Sequence, residues 1–92
     1  MLTYTYDQRI ISIQEKANEA DIEFQIELLG DNKLDAKLKD IQHEFEENAV
    51  LTDVLFYVYP NHKYHIIVRQ DFYNDFILAL MKHRLLLRVE WK

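Results

Sequence analysis

The sequence predicts an α+β domain in which an amphipathic helix leads into a four-stranded antiparallel sheet carrying two further helices. Three observations predict it. Residues 22–29 alternate between apolar and polar side chains, residues 32–48 switch to three- and four-residue apolar spacing, and two stretches dense in Val, Ile, Leu, Phe and Tyr flank the single proline, Pro60. At 92 residues the chain holds one domain and one core, expected to divide into an N-terminal helix within 1–21 and an α/β sandwich over 22–91.

Each element has its own warrant. Over residues 5–20, Tyr6, Ile10, Ile13, Ala17 and Ala20 fall on one helical face, and Thr5 with Gln8 has the form of a capping box. The competing reading is a β-hairpin with the next segment, because Ile10-Ile11-Ser12-Ile13 and the Thr-Tyr repeat before it have strand propensity. Ile22, Phe24, Ile26 and Leu28 form the inward side of a strand that Gly30-Asp31-Asn32 stops. Leu34, Leu38, Ile41 and Phe45 then line one face of a helix over 32–48, with Asp31 placed to cap it.

Strands at 51–59 and 63–69 form a hairpin about Pro60-Asn61-His62, where Pro presets one dihedral and Asn tolerates an unusual one. A helix over 71–83 begins on Asp71 and ends on Lys82-His83-Arg84, complementing its dipole at both ends. A last strand at 85–91 is expected to bury Leu85, Leu87, Val89 and Trp91 and to turn Leu86, Arg88 and Glu90 outward. From residue 22 the order is β-α-β-β-α-β, which resembles the ferredoxin-like superfold in element order without any family motif. That resemblance implies an architecture and no activity.

Composition narrows function by exclusion. One glycine (Gly30), one serine (Ser12) and no cysteine remove glycine-rich phosphate cradles, thiol chemistry, cysteine metal sites and most serine elbows. The absence of cysteine, of a basic-then-apolar leader and of any apolar run near membrane length leads us to expect a cytoplasmic protein. The net charge of −5 is uneven: residues 1–53 carry thirteen acids and five bases, residues 54–92 three acids and six bases. This balance disfavours nucleic acid and anionic lipid as partners, and no cofactor fingerprint is present.

Surfaces carry the remaining expectation. The sheet face opposite the helices would present Leu55, Tyr57, Tyr59, His65, Ile67, Arg69, Leu86 and Arg88, a mixed surface in which Leu55, Tyr57, Ile67 and Leu86 add apolar area that a small monomer would not normally leave bare. The first helix, through Tyr6, Ile10 and Ile13, is expected to cover it within the chain or across a homodimer, so that Ile13→Asp would change association. Asp40, Glu44, Glu46 and Glu47 form a candidate acidic docking strip, read first as a solvated helix face. His62 and His65 have H-x-x-H spacing, but on a turn and strand rather than a helix, and read as ordinary turn histidines. The expected function is a non-enzymatic, self-associating protein-interaction or regulatory module. Its alternatives are an acidic inhibitor of a nuclease or DNA-binding protein and a small-ligand sensor.

Overall fold

The computed structural model describes residues 2–30, 32–47 and 54–92. The elements run β1 (Leu2–Thr5), β2 (Ile11–Ala17), β3 (Asp21–Leu28), α1 (Asn32–Glu46), β4 (Val54–Tyr59), β5 (Lys63–Arg69), a 3-10 turn (Gln70–Phe72), α2 (Tyr73–Lys82) and β6 (Arg88–Trp91). They build a four-stranded antiparallel sheet in the order β2-β3-β5-β4 and a separate two-stranded ribbon, β1-β6. The expected cap at Asp31 and the expected start of the strand at 51–53 lie outside the described residues.

The helix expected over residues 5–20 does not form; the competing hairpin does. Ile11 and Ile13 point inward while Ser12, Gln14 and Lys16 point outward, and β2 pairs with β3 from Ile11 opposite Leu28 to Ala17 opposite Ile22. Two turns without glycine or proline make this possible. Asp7 accepts the Ile10 N–H on its backbone carbonyl and the Arg9 N–H and guanidinium on its carboxylate, which reverses the chain before β2. After β2, Asn18 donates its backbone N–H to the Asp21 carbonyl and its side-chain amide to Asp21 and Glu23.

The ferredoxin-like order does not form either. The run β3-α1-β4-β5 is present, with β5 between β3 and β4, but the edge position beside β3 belongs to β2 and not to the C-terminal segment. Residues 85–91 fail as a sheet strand because their inward and outward sides are not those of one ribbon face. Leu85 and Leu86 are both buried at 1% and 4%, whereas Leu87 and Trp91 are 65% and 68% exposed. The cause lies at the end of α2: Arg84 adopts φ 62°, Arg84 N–H donates to the Met81 carbonyl and Leu85 N–H to the Leu80 carbonyl. This is a Schellman stop, and it drives both leucines back into the core before β6 begins.

Both helices lie on one side of the sheet. Phe76 of α2 is fully buried and its ring sits 4.8 Å from that of Phe24, with Phe45 and Phe56 also against it. Leu34, Leu38 and Ile41 of α1 complete that core with Ile26, Ile66 and Val68 of the sheet. Gly30 serves a close approach, since a Cβ there would stand 2.7 Å from Leu34 Cδ1. The β4–β5 hairpin has the expected turn, with Asn61 at φ 65°, and His62 shares the left-handed conformation at φ 61°.

Candidate functional site

The other side of the sheet bears no helix among the described residues, and strand register fixes what it displays. Three cross-strand rows face outward: Ser12-Glu27-Lys63-Tyr59, Gln14-Gln25-His65-Tyr57 and Lys16-Glu23-Ile67-Leu55. Asp21 opposite Arg69 extends them at one end. The face divides into two halves. Across β2, β3 and β5, acids stand beside bases, as with Glu27 and Lys63 or Asp21 and Arg69, and His65 Nε2 lies 2.8 Å from Glu23 Oε1. Hydrogen bonds from Asn18 and then from His65 hold the Glu23 carboxyl below the usual carboxylate range.

The β4 half has no charge to compensate. Leu55, Tyr57 and Tyr59 are 40%, 47% and 50% exposed and adjoin half-buried Ile67. Tyr57 leans on the His65 ring at 6.2 Å, so the polar half braces the apolar one. β4 is also a sheet edge, paired only with β5 among the described residues. Its six residues, Val54 to Tyr59, contain none of the lysines, prolines or inward charges that blunt natural edges.

Of the expected surface residues, Leu55, Tyr57, Tyr59, His65, Ile67 and Arg69 come together here. The rest do not. Leu86 is core, and Arg88 sits on β6, ion-paired with Glu90. Ile13 is core at 6% exposure, Ile10 lies in the turn before β2, and the Tyr6 hydroxyl donates to the Ile13 carbonyl at 3.1 Å. No first helix exists to cover the open face. The acidic strip on α1 is broken up, because Glu44 binds Lys82 Nζ at 3.1 Å and His83 Nε2 at 3.0 Å, while Glu46 accepts from Gln42. His83 and then Lys82 lower the Glu44 pKa.

Two carboxylate clusters were not read from the sequence. Asp35 of α1 accepts from the Tyr64 hydroxyl on one oxygen, and its other oxygen lies 2.7 Å from His62 Nδ1, tying the hairpin turn to the helix. A carboxylate partner places a proton on Nδ1 of this half-exposed ring. The chain's one serine, Ser12, is on the opposite sheet face. In the second cluster, Glu15 accepts from the hydroxyls of Tyr4 and Tyr73. Burial first, and then these carboxylates, push the Tyr4, Tyr64 and Tyr73 phenols up. Partners 29 and 58 positions apart, as Asp35–Tyr64 and Glu15–Tyr73 are, leave no local signature.

No group of three or more candidate metal ligands occurs among the described residues, and His62 and His65 turn to different partners. No described helix is long and apolar enough to cross a membrane. Comparison with family models, with curated proteins and with solved structures finds no significant match.

Proposed function

We propose that the protein is a non-enzymatic interaction module that binds through the β4 side of its open sheet face, with a second copy of the chain as its partner. The observation that carries this reading is the row Leu55, Tyr57 and Tyr59, half exposed on an edge strand without charge. The polar half of the same face is internally compensated, so the surplus binding capacity lies in the apolar half.

Antiparallel addition of β4 to β4 satisfies its geometry. With Tyr57 on the two-fold axis, Leu55 of each copy opposes Tyr59 of the other, and Phe56 opposes Val58, itself 60% exposed on the helix side. Every opposed pair is apolar or aromatic. Light scattering across a concentration series tests the reading: the wild type is expected to form a dimer, and Tyr57→Lys to be monomeric with unchanged circular dichroism. A wild type monomeric at every concentration, or a Tyr57→Lys dimer, would overturn it.

A further inference from the structure

The opposite edge of the sheet carries a second feature that the β4 reading does not use. Between β1, β2 and the start of α2 runs an open groove of about 740 Å³, floored by Leu2 and Ile22 and crossed by Glu15 with Tyr4 and Tyr73 at its sides. Glu15 is out of place by pattern. It lies opposite Phe24, on the side of the sheet where Ile11 and Ile13 are core. Both tyrosine hydroxyls donate to its Oε2, so neither occupies Oε1. Among the described residues, no Lys, Arg or His side chain forms an ion pair with it. A carboxylate held by two phenols, in no ion pair among the described residues and flanked by aromatic rings, is complementary to an ammonium or guanidinium group.

The backbone beside it specifies what carries that cation. Along β2 the outward-facing main-chain groups belong to the odd-numbered residues: the Ile11 N–H donates to the Asp7 carbonyl and the Ile13 carbonyl accepts from Tyr6. The next two residues in that series, Glu15 and Ala17, are exposed and line the groove. An extended segment laid along this edge bonds to them through its main chain and sets the side chain opposite Glu15 beside the carboxylate.

We propose that this groove binds an extended peptide segment bearing a lysine or arginine, by strand addition to the edge of β2 with the cation on Glu15. The groove and the β4 surface occupy opposite sheet edges, so either can fail without the other. The test uses the full chain, isotope-labelled, and two pools of capped pentapeptides with Val, Thr, Ile or Ser at the flanks and lysine or arginine at the centre. Saturable shifts are expected at the Glu15 and Ala17 amides, with affinity falling as salt rises. Replacing the central residue by norleucine, or Glu15 by Gln, is expected to weaken binding at least about tenfold; the glutamine still accepts from both phenols. Ala17→Pro removes an edge donor where proline is tolerated, and is expected to weaken the peptides while leaving the rest of the spectrum in place.

Four results would overturn the proposal. They are no binding by either pool, a norleucine pool that binds equally well, shifts confined to the Tyr57 face, and n-butylamine alone matching the peptides. The last would make the groove a site for small amines instead.

Discussion

Raising the pH above 10 should unfold this protein along a slope that its tyrosines set. The Tyr4, Tyr64 and Tyr73 phenols have pKa values raised from the ordinary 10.0, by burial and then by the carboxylate each donates to. Above pH 10 the unfolded chain therefore releases protons that the folded chain keeps, and stability falls as pH rises. Each fully held phenol contributes a slope of about 1.4 kcal/mol per pH unit. Tyr64 is 6% exposed and counts in full. Tyr4 and Tyr73 reach toward solvent, so screening shortens the pH range over which each adds its slope, and the three together give at most about 4 kcal/mol per pH unit. A domain of ordinary stability, about 5–15 kcal/mol, loses its lower range within roughly two units.

Tyr64→Phe isolates the largest share. At neutral pH it removes a buried hydroxyl bonded to a carboxylate, a loss of about 1.5–3 kcal/mol. Its alkaline slope should be shallower than the wild type's by about 1.4 kcal/mol per unit, so the two stability curves should meet roughly one to two units above pH 10. Urea unfolding at a series of pH values measures both curves, and deprotonation of lysines cancels between them. Parallel curves for the two proteins would refute the reasoning, because they would mean that the Tyr64 proton is no better held in the fold than outside it.

Two other perturbations test the corrected fold and the tie between the helices. Ile13→Ala should cost about 2–5 kcal/mol in urea unfolding. The half-buried Ile10 should cost less, an order that a helix covering the open face would not produce. Below about pH 4.5, where an ordinary glutamate titrates, the lowered pKa of Glu44 means that its contribution is present above that pH and lost as pH falls through the folded value. Glu44→Gln should flatten this acid limb, and an unchanged limb would show that Lys82 and His83 do not hold the carboxylate in solution.

The legible parts of the fold were those whose signals are local. The alternation of Ile22, Phe24, Ile26 and Leu28, the Leu34-Leu38-Ile41 stripe and the Pro60-Asn61 turn each decide their element within a few residues. Residues 5–20 misled because Ile10, Ile13 and Ala17 satisfy a helical period while Ile11 and Ile13 satisfy a strand period. The two readings are separated by the turns at Asp7-Gln8-Arg9-Ile10 and at Asn18-Glu19-Ala20-Asp21, which contain neither glycine nor proline. The C-terminal strand misled for a related reason. A left-handed arginine rather than a glycine ends α2, so nothing in its composition announces that the chain turns inward at Leu85. The open face was readable across β3, β4 and β5 because parity alone assigns it, whereas the Glu15 and Asp35 clusters depend on contacts between distant segments.

The two corrections are one event in three dimensions, and together they account for both proposed surfaces. Because β2 takes the edge beside β3, the C-terminal segment is released to pair with β1 as a ribbon on the helix side. That ribbon brings Leu2 and Tyr4 alongside β2 and creates the wall of the Glu15 groove. The same substitution of one edge strand for another removes the helix expected to cover the open face, leaving the apolar row of β4 uncovered by any described element of its own chain. A sheet whose two edges differ in character, one uncharged and one carrying a carboxylate that forms no ion pair among the described residues, is suited under the two proposals to dissimilar extended partners. Under the two proposals, the chemistry of each edge, and not the overall charge of −5, selects the partner.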